Sequence, residues 1–274
     1  MKLEKYSLTV PGQQTGEAHL IVYQIDNNKN APERKRPMVI VVAGGGYEYV
    51  SDREQEPILM KFLSMGYHAC LLQYSVAPNV FPTALLELAS AVAMIREHAK
   101  EWMVDSDKIV TCGFSAGAHL AASLGVFWNR EFVYDALDKN PEDVKPNGQI
   151  LCYPVITSGE KAHKGSFEKL LGVESGNDEK RELVSIEKQV TADVPVTFLW
   201  HTLPDQSVPV ENSLYMAEAL LRNGVNYEMH IYPVGGHGLS LATEETAGSD
   251  ISMLQPHCQS WVSLAEAWMK LHFA

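Results

Sequence analysis

CGFSAGAHLAA, residues 112–122, sets Gly113-Phe114-Ser115-Ala116-Gly117 directly after the apolar run KIVTC and at the start of a helical pattern. A serine in a sharp strand-to-helix turn needs small flanking residues, because the backbone there is strained and runs close to its neighbours. The helix that follows aims its free N–H groups at the same point. A serine so placed can also be a plain N-cap with glycines for packing. Here the strand before it and the helix after it favour a nucleophile elbow.

Outward from this stretch, apolar runs alternate with longer helical patterns. HLIVYQI, MVIVVA, YHACLLQY, KIVTCGF, GQILCYPV, PVTFLWH and NYEMHIYPV read as strands. EPILMKFLSMG, PTALLELASAVAMIREHAKEW, SAGAHLAASLGVFW, VENSLYMAEALLRNG and HCQSWVSLAEAWMKLHF carry apolar residues at helical spacing. Continuous apolar strands separated by helices predict an α/β fold: a mostly parallel central sheet with helices on both faces. Residues 1–274 are expected to form one such domain. The stretch 155–194 breaks the rhythm, being polar and glycine-rich around the short apolar FEKLLGV. It is expected to be an insertion that lies over a site or decorates an edge.

A serine hydroxyl needs a base to become a nucleophile. Of ten histidines, His237 stands in YPVGGHGLS, a glycine-rich loop just after the last predicted strand. His201 ends the strand VTFLWH, His119 sits one turn into the helix after Ser115, and His257 opens the last helix. The order of the parts favours His237. The base in turn needs an acid to hold its tautomer. Asp205, in HTLPDQSVPVENS, follows a strand and precedes His237, whereas Asp193 and Asp250 are less well placed. An oxyanion needs donors, and Ala43-Gly44-Gly45-Gly46-Tyr47 follows the strand MVIVV. Gly45, Gly46 and Ala116 are the expected N–H donors. Tyr47 and Glu48, with Tyr49, are expected to meet a hydroxylated substrate.

Composition excludes other classes. Twenty-two Lys and Arg against 34 Asp and Glu give a formal net charge of −12, opposite to what a nucleic-acid or anionic-membrane binder needs. The glycine turn lacks both G-x-G-x-x-G and a P-loop lysine, and no H-E-x-x-H occurs, so neither nucleotide nor metal is implied. No cofactor is expected. The four cysteines are far apart without a C-x-x-C pair, and Cys70, Cys112 and Cys152 lie within apolar runs as small buried hydrophobes. The start MKLEKYSLTVPGQQ has no signal-peptide core, and no N-x-[ST] sequon occurs, so a cytoplasmic location is expected.

With these parts in place, the sequence resembles the α/β-hydrolase superfamily over nearly its whole length. AGGGY, GFSAGAHLAA, HTLPDQSVPVENS and GGHGLS look like the acetylxylan-esterase-like carbohydrate esterases, or sugar hydrolases, related to hormone-sensitive-lipase-type esterases. The oxyanion turn of the lipase-type enzymes reads H-G-G-G, and Ala43 replaces that histidine here. The resemblance implies a serine esterase that removes short acyl groups, such as acetyl groups from xylo-oligosaccharides. Its partner would be a small ester, and a homo-oligomer is compatible with it. A peptidase or amidase with the same three residues, or a hydrolase-like binding protein without catalysis, are the alternatives.

Overall fold

The computed structural model describes residues 1–273. Eight strands make one sheet in the order β1-β2-β4-β3-β5-β6-β7-β8. They span Lys2–Leu8 (β1), Ala18–Gln24 (β2), Arg36–Val42 (β3), His68–Gln73 (β4), Val104–Phe114 (β5), Gly148–Cys152 (β6), Val196–Thr202 (β7) and Tyr227–Tyr232 (β8). β2 pairs antiparallel with both β1 and β4, and every pairing from β4 to β8 is parallel.

The parallel strands β3, β4, β6 and β7 and the second half of β5 are buried on both faces, which explains their largely apolar character, whereas the edge strand β8 is only half-buried. In β3, Met38, Ile40 and Val42 enter one core while Val39 and Val41 enter the other, the period-two division a pleat imposes. The helices Thr83–Glu97 (α2) and Ala116–Phe127 (α3) and the helix Glu211–Arg222 pack into the first core. Glu56–Ser64 (α1) and the closing helix Ser260–Phe273 pack into the second, with Ile58, Phe62, Trp261 and Trp268.

The expected strands and long helices are all present. β1 is an addition: KLEKYSL forms an edge strand whose side chains are mostly solvent-facing, so it carries little apolar signal. Residues 155–194 fold into the helices Lys164–Leu171 and Asp178–Leu183 with short turns between and after them. Phe167, Leu170, Leu171, Val184 and Ile186 anchor this segment to the core that α3 also faces. Cys70, Cys112, Cys152 and Cys258 are unpaired and buried. No helix among the described residues is long and apolar enough to cross a membrane.

The chain runs from β3 to β4 on one side and then returns to place β5 on the other. Strand order therefore reverses between β3 and β5, and a crevice opens beyond the carboxyl ends of those two strands. The glycine turn leaves one of them and Ser115 leaves the other.

Candidate active site

Ser115 joins β5 to α3 at φ +52° and ψ −118°, a left-handed conformation unusual for a residue with a side chain. Two glycines make the turn feasible. A Cβ on Gly113 would lie 2.4 Å from the carbonyl oxygen of Gly117, and one on Gly117 would lie 2.1 Å from that of Val42. The Ser115 N–H donates to the Cys152 carbonyl at 3.0 Å, tying the elbow to β6.

Three residues from different loops meet here. Ser115 Oγ lies 2.8 Å from His237 Nε2, and His237 Nδ1 lies 2.7 Å from Asp205 Oδ2. A carboxylate only accepts, so the imidazole proton sits on Nδ1 and Nε2 is left free to take the serine O–H. Asp205 is 4% exposed, and its Oδ1 accepts the N–H groups of Ser207 and Val208, each at 2.9 Å. Burial alone would raise its pKa. Hydrogen bonds from His201 and His237 and from the Val208 N–H outweigh that and hold the carboxyl well below the usual range.

His201 is fully buried and has a different task. Its Nε2–H is shared between the Val208 carbonyl at 2.9 Å and Asp205 Oδ2 at 3.2 Å, while Nδ1 meets Ser213 Oγ at 2.7 Å. It braces the carboxylate from behind. His257 stacks edge-on against Tyr232, away from these groups.

The glycine turn approaches the serine closely: a Cβ on Gly44 would fall 2.9 Å from Ser115 Cβ. Its three N–H groups are not equivalent. Gly44 donates to Glu54 Oε2 at 2.8 Å and is thereby committed. Among the described residues no protein acceptor takes the N–H of Gly45, Gly46 or Ala116, the three expected donors. Gly45 stands at φ +127°, where a Cβ would meet the Tyr49 carbonyl oxygen at 2.1 Å.

Tyr47 requires a correction. The turn carries it to φ +59° and sends its ring inward, 3% exposed, so it does not face a substrate. Its hydroxyl donates to His119 Nδ1 at 2.8 Å, and His119 Nε2–H donates to the Val184 carbonyl at 2.8 Å. His119 thus joins the glycine turn, α3 and the 155–194 segment. Glu48 stays at the rim of the crevice, paired with Lys169 at 2.6 Å, and Tyr49 is exposed beside it.

His119→Ala would orphan that hydroxyl and carbonyl and open a void, at a cost of roughly 3 kcal/mol. Thermal unfolding by circular dichroism is expected to shift down by several degrees, and an unchanged midpoint would contradict this role. Burial lowers the His119 pKa from 6.5 to about 4, so the folded protein refuses a proton that the unfolded chain accepts. Its stabilising contribution is complete above pH 6.5 and is lost as pH falls toward 4.

Four further side chains complete the crevice. Glu54 is buried, with Oε1 accepting the Tyr153 hydroxyl at 2.6 Å while Oε2 holds Gly44. Tyr153 accepts the Ser240 N–H at 3.0 Å and sets its ring edge-on to His237 at 5.1 Å between centroids. Arg53 Nη2 donates to the Gly238 carbonyl at 2.8 Å. His163, at the start of the helix Lys164–Leu171, reaches in from the 155–194 segment. None of the four carries a local signature, because the residues they meet in the crevice lie far away in sequence.

The resulting cavity, about 290 Å³, is lined chiefly by Gly45, Gly46, Ser115, His163, Ser207 and His237, with Glu48, Arg53 and Glu54 at its sides. No cluster of His, Cys, Asp and Glu suited to a metal occurs among the described residues. The arrangement can activate a hydroxyl, shuttle its proton, and place unpaired N–H groups beside the atom it attacks.

Comparison with known proteins places the chain. The BD-FAE family matches residues 24–220. The chain belongs to the BD-FAE family. Within the α/β hydrolases, this BD-FAE chain is 37% identical over 233 residues to endo-1,4-beta-xylanase B of Butyrivibrio fibrisolvens, covering 81% of the chain and 36% of that protein. Acetylxylan esterase of Xylanibacter ruminicola is 28% identical over 218 residues, covering 77% of the chain and 43% of the esterase. The chain therefore spans less than half the length of either relative. A solved structure, the acetyl ester-xyloside bifunctional hydrolase of Caldicellulosiruptor lactoaceticus, superposes with a TM-score of 0.82 at 35% identity. That match covers 94% of this chain and 89% of the other.

Proposed function

We propose that this chain is a serine carboxylic ester hydrolase that removes short acyl groups, acetyl above all, from carbohydrate alcohols. The observation that carries the reading is the hydrogen-bonded run Ser115–His237–Asp205, starting from a strained elbow that faces unpaired backbone N–H groups. Ser115 Oγ attacks the ester carbonyl carbon as His237 Nε2 takes its proton. Asp205 keeps the imidazole oriented and stabilises the cation that forms. The developing oxyanion accepts N–H bonds from Gly45 or Gly46 and from Ala116. His237 then returns the proton to the departing alcohol, and water cleaves the acyl-serine by the same steps. The names of the two esterase relatives support the substrate class, as do the polar side chains of Glu48, Arg53, His163 and Ser207 around the crevice.

A cavity of about 290 Å³ lined by glycines and mainly polar side chains offers little room for a fatty chain. Burying each extra methylene would contribute about 0.8 kcal/mol if a groove for it existed. With p-nitrophenyl esters at a single pH, kcat/KM is expected to peak at acetyl or propionyl and to fall from butyryl to octanoyl. A maximum at octanoyl would overturn the carbohydrate reading. Fluorophosphonate labelling that disappears in Ser115→Ala tests the nucleophile itself, because it requires an activated serine.

A further inference from the structure

His163 lies in the 155–194 segment, far in sequence from the elbow, yet it shares the crevice with Ser115 and His237. Its ring has a defined polarity. Nδ1 accepts the Ser166 N–H at 3.3 Å, capping the helix Lys164–Leu171, and lies 2.8 Å from Ser166 Oγ. A backbone N–H can only donate, so Nδ1 presents a lone pair and the proton of the neutral ring resides on Nε2. Burial and the neighbouring His237 lower its pKa, the direction that favours the neutral ring. Among the described residues, no protein atom accepts the Nε2–H. The cap occupies one nitrogen, and the ring that carries the other lines the crevice.

We infer that His163 is a specificity-determining residue whose Nε2–H donates a hydrogen bond to an oxygen on the alcohol portion of the bound ester. This rests on the esterase reading above and deepens it. Elimination identifies the acceptor. The ester carbonyl oxygen is met by backbone N–H groups, and an acetyl methyl has no lone pair to offer. The bridging ester oxygen is the atom to which His237 returns its proton, so the remaining acceptors are hydroxyl and ring oxygens of the alcohol, which a sugar supplies and a simple alkyl alcohol does not. His163 cannot double as a base, because Nδ1 is occupied and Nε2 already carries its proton. The crevice thus holds two imidazoles of opposite character: His237 offers a lone pair to Ser115, and His163 offers a proton to the substrate. Glu48, held at the rim by Lys169, supplies an acceptor for a sugar hydroxyl within the same cavity.

The test separates capping from recognition. His163→Asn keeps an N-cap acceptor for the Ser166 N–H but loses the ring nitrogen that reaches the cavity. The ratio of kcat/KM for an acetylated xylo-oligosaccharide to that for p-nitrophenyl acetate is expected to drop about 10-fold, with the change mainly in KM. In a Ser115→Ala background, calorimetry is expected to show the acetylated xylo-oligosaccharide binding about 10-fold more weakly when His163→Asn is added. Equal losses on both esters, or an unchanged ratio with unchanged affinity, overturn the assignment of His163 while leaving the esterase reading intact. Failure of the wild-type protein to turn over the acetylated sugar, with p-nitrophenyl acetate still cleaved, overturns the sugar substrate and this inference with it.

Discussion

Ser115→Ala is expected to lower kcat for p-nitrophenyl acetate by about 10⁶-fold while leaving the unfolding midpoint within a degree or two of wild type. The hydroxyl makes one side-chain hydrogen bond, to His237, whose ring also bonds to Asp205 and so keeps an anchor without it. The left-handed backbone at residue 115 is as accessible to alanine as to serine, so the elbow survives. Residual turnover would come from the N–H donors and from substrate orientation, which persist without the nucleophile. Steady-state kinetics on protein purified free of host esterases decides it. Rates within 10-fold of wild type would remove Ser115 from the reaction.

His237→Ala is expected to be nearly as severe, again about 10⁶-fold in kcat, since the serine then has no base. The informative contrast is His201→Ala. Both imidazoles bond to Asp205 Oδ2, but only His237 also reaches Ser115. Losing His201 leaves the Val208 carbonyl and Ser213 hydroxyl without their partner inside the core. Its first effect is expected on stability, roughly 3 kcal/mol, with far smaller loss of turnover at temperatures where the variant remains folded. Measuring kcat and unfolding together separates the two histidines. A stable but inactive His201→Ala with an active His237→Ala would mean the base had been assigned to the wrong ring.

Much of this arrangement is legible in the sequence. Strands β3 to β7 announce themselves because strands buried on both faces must be largely apolar. Ser115, Asp205 and His237 each follow the end of a strand, so their order along the chain also places them at one end of the sheet. The rest depended on contacts that sequence spacing does not encode. Tyr47, Glu48 and Tyr49 are consecutive, yet the left-handed turn at residue 47 buries the first and leaves the others outside. Glu54 reads as an ordinary surface carboxylate until Tyr153, 99 positions away, is seen to lie against it. β1 was hidden for the opposite reason, an edge strand whose residues face water.

The two oxygens of Glu54 are committed to separate loops. One holds the turn that would receive the oxyanion, and the other, through Tyr153 and the Ser240 N–H, holds the loop that carries His237. On the proposed mechanism, a mechanical brace of this kind holds the N–H donors and the base in place together before an ester arrives. An incoming substrate then has nothing to rearrange, so the favourable energy of its contacts goes into its own orientation and into the charge that develops as the bond breaks.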